Sequence, residues 1–465
     1  MPKCRGWMLW GMVIGYTTVA YPALDPFRTE ALTTPGPQLY WTGSTAGLTV
    51  DTHQISQHLQ ALPCHPLTLA EVTDFALSQN PTTRFAWAQA KIAAANVGEA
   101  KSAYFPQVTV GVADQYGATL FTDNSNSNNT FGPNASISFL LLDFGNRANT
   151  VKAAKYALIA ANLSQNNAIQ QLIVDVEQSY YEVLGEQALL AANQESLLEA
   201  NTSLQASQAL RQQGLATIGD VYQAQASKAQ SQLNVQQAQS NYKVAKGALA
   251  VLMGVPPDAS FSLVPLTQKP STPALKQHMG QLLATAIQRR PDLLAQEASV
   301  RSAQATLAAT RAATRPQLQV GASVYPQTSD TGTVTATSVN VSLSFPLFTG
   351  FSHTYQVRAA QANLLAQQAS RDQLLQQVQL DVWQAYYALQ TAAANIETTA
   401  VFYKSSLQAS NQSLGQFKAG VGDILSVLTT QSSLANARVE SIQARLNWYI
   451  ALAELAKALG TLYAC

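Results

Sequence analysis

Charge is the scarcest thing in this 465-residue chain. Asp, Glu, Lys and Arg together make up 11% of it, against about 25% in ordinary soluble proteins. The formal net charge is +1, which leaves no electrostatic footprint for a nucleic-acid backbone. A disordered chain is excluded as well, because that state goes with high net charge and little apolar content, and hydrophobic residues stand at 47%. Three cysteines, Cys4, Cys64 and Cys465, are too few for a dense disulfide scaffold or a four-cysteine zinc site. The five histidines, His53, His58, His65, His278 and His353, show no metal-ligand spacing. GxSxG, GxxxxGK, HExxH and CxxC are all missing, so no enzymatic activity and no cofactor is indicated. Beyond the first residues, no apolar run is long enough to span a bilayer as a helix.

What fills the chain is alanine, with uncharged Gln, Asn, Ser and Thr supplying the polarity. A length prior of ~150 residues per domain would suggest three domains; the composition argues against three ordinary ones. At the amino end, Lys3 and Arg5 precede the apolar stretch Gly6 to Tyr16 and the small residues Thr18-Val19-Ala20. This is the grammar of a secretory signal peptide, expected over residues 1–20, with Ala23 as a second cut site. Cys4 precedes the apolar core and cannot carry a lipid anchor. Export places the mature chain in an oxidising compartment or at the outer envelope. Residues 21–66 read as a polar segment rich in Thr, Pro and Gly.

The rest is written twice. Asn80-Pro81 answers Arg290-Pro291, and Pro106-Gln107-Val108-Thr109-Val110-Gly111 answers Pro316-Gln317-Leu318-Gln319-Val320-Gly321. Val151-Lys152-Ala153-Ala154 answers Val357-Arg358-Ala359-Ala360. Asp175-Val176 with Tyr180-Tyr181 answers Asp381-Val382 with Tyr386-Tyr387, and Gly219-Asp220 is read against Gly422-Asp423. The repeats are set at 67–265 and 266–462, with a tail at 463–465. Each reads as helix, two strands, long helix, helix.

Ile169, Leu172, Ile173, Val176, Tyr180, Val183 and Leu184 keep three- and four-residue spacing, as do Leu374, Leu375, Val378, Val382, Tyr386 and Leu389. Asn146 to Arg211 holds no Pro and one Gly, Gly185; such a helix is about 100 Å long at 1.5 Å per residue. In the last helix, Leu428, Ala435, Val439, Ile442, Leu446 and Tyr449 form a heptad-like stripe. Asp175, Asp381 and the Tyr pairs on these helices read as packing or water-facing groups rather than catalytic ones.

The strands, expected near 105–117, 134–143, 315–326 and 337–348, alternate with period two. Val108, Val110 and Val112 lie opposite Gln107, Thr109 and Gly111; Val339, Val341 and Leu343 lie opposite Asn340, Ser342 and Ser344. Loops are expected at 123–129 and 328–332. Two readings follow: hairpins capping a soluble helical domain, or strands with one face on lipid and one on a water-filled lumen. Four strands cannot close alone, and open edges are forbidden in hydrocarbon. The second reading therefore requires a barrel shared among several copies.

From about Leu67 to Leu462 the chain resembles the TolC-type outer membrane efflux channel family. The resemblance rests on the two-fold repeat, on Tyr104-Phe105-Pro106-Gln107 and Phe345-Pro346-Leu347-Phe348-Thr349-Gly350 at the strand ends, and on Lys418-Ala419-Gly420-Val421-Gly422-Asp423-Ile424-Leu425. It implies a mainly α fold with a transmembrane β sector: a homotrimer with a twelve-stranded β-barrel in the outer membrane and a twelve-helix periplasmic tunnel. It implies a periplasmic adaptor and an inner membrane pump as partners, with residues 21–66 outside the tunnel, and conduction of small molecules without catalysis. A duct for a secreted polypeptide has the same architecture; a non-conducting helical structural or adaptor protein is the rival of another class.

Family tunnels close at turns between helix pairs, here Gly214 to Asp220 and Gly420 to Asp423. Asp423 matches the first acidic position of the second turn, while the next acidic position is Ser426, which puts a double acidic ring in doubt. Asp423, and Asp220 likewise, is read as a gate carboxylate or as a helix N-cap, two roles that can coexist. Cys64 and Cys465 flank the repeats, and in an up-and-down arrangement they can lie at one level, as a disulfide or as two thiols.

Overall fold

The computed structural model describes residues 63, 65–118, 127–265, 278–329 and 332–462. The first half runs α1 (Leu69–Gln79), α2 (Pro81–Ser102), β1 (Gln107–Ala118), β2 (Ser127–Leu142), α3 (Asn146–Gln212) and α4 (Ile218–Leu252). The second runs α5 (Met279–Arg289), α6 (Pro291–Ala312), β3 (Gln317–Ser329), β4 (Gly332–Ser344), α7 (Ser352–Lys418) and α8 (Ile424–Ala458). Helix lengths repeat unchanged at 11, 22, 67 and 35 residues. Only the hairpins differ, so Pro81 aligns with Pro291 before them and Asn146 with Ser352 after them.

The opening helix of each half is two helices. Asn80 and Arg290 both adopt extended backbone, ψ 130° and 119°, because a following proline disfavours the α conformation. Pro81 and Pro291 then start the next helix at a position whose N–H has no helical partner anyway. Asn80 caps α2 through Thr82 N–H at 2.8 Å, and its amide donates to the Leu252 carbonyl at 3.0 Å, tying this corner to the end of α4. At the matching corner Arg290 donates to Asp292 and to Asp381 on α7.

Among the described residues, three cores hold the helices. Leu67, Val72, Val176, Val183, Leu249 and Met253 form the first, within the first half. Leu282, Val378, Val382, Leu389, Trp448 and Leu455 form its counterpart. The third lies at the far end of the long helices, where Leu204, Leu210 and Val221 meet Phe417, Ile424 and Val427 from the other half. The halves also join where α3 packs along α6 and α8.

The buried side of α8 departs from the expected stripe. Leu428, Val439 and Tyr449 are half-buried, and the deep face runs Val427, Gln431, Leu434, Arg438. Gln431 donates to Ser203 at 2.9 Å, and Arg438 grips Glu199 at 2.7 and 3.0 Å. A bidentate ion pair lets a guanidinium be buried, so apolar periodicity alone pointed one residue aside.

The four strands form one antiparallel sheet in the order β1-β2-β3-β4. The ladder carries the strands further outward than their polar residues suggested: β2 starts at Ser127, and β3 and β4 meet at the pair Ser329–Gly332. Cross-strand pairing overrides weak strand propensity. At its other end β4 stops at Ser344, short of the expected 348, and Pro346 has no N–H to continue a ladder.

Candidate functional site

Sheet register decides which side chains share a face. Val108, Ile137, Ala322 and Val339 line up across all four strands; in the neighbouring row stand Gln107, Ser138, Gly321 and Asn340. The rows alternate from there. Thr109, Ser136, Ser323 and Ser338 share the polar face, with the hydroxyls of Ser323 and Ser338 2.7 Å apart. On the apolar face Val110 is 75% exposed, and Val112, Val341 and Leu343 stand equally bare. Monomeric soluble proteins rarely leave so continuous a patch in water. The hairpins therefore do not cap a helical domain: among the described residues no helix packs on the apolar face. No helix among the described residues is long and apolar enough to cross a membrane.

Arg147, a residue the sequence analysis passed over, fixes the sheet to α3. Its guanidinium donates to the carbonyls of Ala103, Leu140 and Leu141 at 3.1, 2.6 and 3.0 Å, and Asp143 lies 3.4 Å from its Nε. Opposite it, Arg315 donates to the Phe144 carbonyl at 2.8 Å. Carbonyls that the ladder leaves behind must find donors, and these two arginines supply them. The only signal in the sequence was their position beside the strand ends.

The opposite end carries Gly214, Asp220, Gly420, Gly422 and Asp423, which the fold brings together at one tip. Gly214 and Gly420 take φ of 74° and 72°, where a Cβ is strained. Leu215 N–H bonds to the Leu210 carbonyl and Gly214 N–H to that of Arg211; Val421 and Gly420 repeat this on Gln416 and Phe417. These are Schellman terminations of the two 67-residue helices. A Cβ on Gly420 would lie 3.7 Å from Leu215, so the turns touch.

The acidic residues correct one alignment. With Gly214 matching Gly420, Asp423 matches Thr217, and Asp220 matches Ser426. Thr217 is the N-cap of α4, and Asp220 is the third residue of its capping box, accepting from Thr217 N–H at 2.7 Å. Asp423 is itself the N-cap of α8, accepting from Ser426 N–H at 2.7 Å and its hydroxyl at 2.8 Å. The bond from Ser426 N–H, more than any other cause, holds the Asp423 carboxyl below the usual carboxylate range. Asp220 is thus not an N-cap, as expected, but the acid that closes one. The tip carries two carboxylates, one per turn, Asp220 half-exposed and Asp423 exposed. Beside them Leu215, Tyr222, Val421 and Leu425 are exposed, a second feature that motif reading missed.

The remaining candidates separate from this site. Asp381 pairs with Arg290 at 2.8 Å and Asp175 accepts from Gln171 at 2.6 Å, both as structural partners. Tyr181 stacks on Tyr449 with ring centroids 4.7 Å apart, and burial lifts its phenol to about 12. Cys64 and Cys465 lie outside the described residues.

A two-faced sheet with β1 and β4 at its edges among the described residues, carried on helices about 100 Å long, defines a subunit of an envelope channel. Residues 72–255 and 282–461 match the model of a family described as outer membrane efflux protein, and the chain belongs to that family. It is 29% identical over 391 residues to Protein CyaE of Bordetella pertussis, spanning 81% of this chain and 82% of the relative. To outer membrane efflux protein BepC of Brucella suis it is 25% identical over 373 residues, spanning 79% and 80%. The solved outer-membrane channel OprN superposes with a TM-score of 0.76 at 22% identity, over 84% of this chain and 89% of that one. The protein is an outer membrane efflux channel with a periplasmic helical extension, and its family consists of channels, not enzymes.

Proposed function

We propose that three copies assemble into a passive exit duct for small molecules, driven by a pump in the inner membrane through a periplasmic adaptor. Channels of this family are trimers that work with efflux pumps. The observation that carries the reading is the sheet: its order leaves β1 and β4 as the edge strands among the described residues, and hydrocarbon tolerates no open edge. Three sheets joined edge to edge give twelve strands, apolar outside and polar within. Contacts of this head-to-tail kind close into rings. Mass measurement in detergent, with single-channel recording in planar bilayers, tests it; a non-conducting monomer refutes it. Loss of drug tolerance on deletion supports small-molecule cargo, whereas loss of a single secreted polypeptide supports the rival duct.

At the tip, Asp220 and Asp423 from each copy are proposed to ring the bore and favour cations there. The cap and the gate are separable because Asn caps a helix about as well as Asp. Asp423→Asn therefore keeps the turn and removes the charge. Cation selectivity should fall while stability stays; unchanged selectivity assigns Asp423 to the cap alone. The exposed Leu215, Tyr222, Val421 and Leu425 are proposed as the apolar part of the adaptor contact. Residues 1–20 are proposed to be cleaved on export, and 21–66 to lie outside the tunnel. A Cys64–Cys465 disulfide is proposed too, and two free thiols by non-reducing mass spectrometry would end that idea.

A further inference from the structure

The halves differ in what covers them, and the difference yields the contact between copies. Within one chain, α6 of the second half packs on α3 of the first, and α8 packs on α3 as well. The matching contacts in the other direction, α2 on α7 and α4 on α7, are not among the packed helix pairs of the described residues, and the faces that would make them are exposed. Phe85, Trp87 and Ile92 on α2, Val244 and Val251 on α4, and Trp383, Tyr387 and Val401 on α7 are all exposed. Since the helices of the two halves are equal in length and follow one another at the same spacing along α3–α4 and α7–α8, the seam inside the chain is a template for the seam between copies.

Carrying that template across gives a definite pair. Inside the chain Tyr181 of α3 stacks on Tyr449 of α8. The counterpart of Tyr181 is Tyr387: both are the second residue of a Tyr-Tyr pair, edge to face with the first at 5.7 and 5.3 Å. The counterpart of Tyr449 is Lys243, the same number of residues into a helix of the same length. Lys243 is exposed and forms no ion pair among the described residues. Tyr387, 44% exposed, has beside it Trp383, 51% exposed, with the ring centroids 4.9 Å apart. A cation thus replaces an aromatic ring where the facing side has gained a second one.

We propose that the seam between copies is locked by a cation–π contact, the Lys243 ammonium of one copy seated on the Trp383–Tyr387 platform of the next. It rests on the ring assembly proposed above. Trp and Tyr faces attract ammonium most strongly where water is excluded, as it is between packed helices. The chemistry also gives direction: α4 of one copy meets α7 of the next, and never its own kind.

The test uses the full chain in detergent with Cys64→Ser and Cys465→Ser. Lys243→Cys with Tyr387→Cys, treated with a short bifunctional thiol reagent, should give a ladder of covalent dimer and trimer. Tyr181→Cys with Tyr449→Cys should link within one chain and give no ladder. An intact trimer without the ladder overturns the lock and leaves the ring assembly standing; a monomeric parent overturns the assembly itself. Should the cysteine pair fail to assemble, heat dissociation of Lys243→Arg and Lys243→Glu decides. Arg should hold the trimer as the parent does and Glu should release it at lower temperature, whereas equal behaviour of the two rejects the proposal.

Discussion

Helices α2 and α6 are twins, with the same 22 residues of length, the same proline at the start and a hairpin after each, yet they live in different surroundings. Ten residues of α6 are buried and only two of α2, Ala90 and Val97. The two lie where α6 has Val300 and Leu307, the side each helix turns to the long helix of its own half. The other side of α6 is small and covered: Ala295 is 7% exposed, while its twin Phe85 is 66% exposed. One duplicated helix found its second partner inside the chain. The other did not, and it carries the larger, greasier side chains that a partner from outside would cover.

Four experiments break or sharpen that contrast. The largest effect is expected on the sheet, where Val110→Arg puts a charge on the bare apolar face. About 2–4 kcal/mol per copy is at stake at the bilayer midplane, so the membrane-inserted form should be lost in fractionation. Thr109→Arg, one residue along and on the polar face, should insert and alter conductance instead. Next comes the internal seam. Arg438→Ala leaves Glu199 without its partner and should cost about 3 kcal/mol in denaturant unfolding, while Gln232→Ala, its twin on the open helix α4, should stay within about 0.5 kcal/mol.

A smaller effect separates the twins directly. Ala305→Leu overfills the packed side of α6 and should destabilise the chain by about 1–3 kcal/mol. Ala95→Leu, at the matching exposed place on α2, should leave the chain's own unfolding unchanged and weaken the trimer. Equal effects on unfolding would erase the distinction between covered and open faces. The smallest effect concerns the tip. The folded Asp423 carboxyl titrates below its ordinary value of 3.8, so the cap contributes fully above that value and is lost as pH falls through the folded one. Amide exchange at Ser426 and Val427 should accelerate only in strong acid, and Asp423→Asn should abolish that dependence.

The sequence by itself determined a great deal. Two matched series of residues, proline-free stretches and period-two alternation were enough for the duplicated α-and-β plan, the 100 Å helices and the two-faced sheet. Those are local or periodic properties, carried by backbone chemistry and side-chain spacing. The glycines of the tip were legible too, since only a positive φ makes Gly214 and Gly420 necessary. What stayed hidden depends on pieces far apart in the chain. Arg147 meets carbonyls from both sides of the hairpin, Arg438 meets Glu199 across two helices, and Asp423 aligns with Thr217 only once the two turns are laid over each other. Apolar periodicity cannot announce a buried arginine, because what makes its burial tolerable is a carboxylate on another helix. Coverage was likewise a tertiary matter. Helices of equal length and matching proline starts are equivalent in plan, and packing within the chain satisfied one set of faces while leaving the other bare.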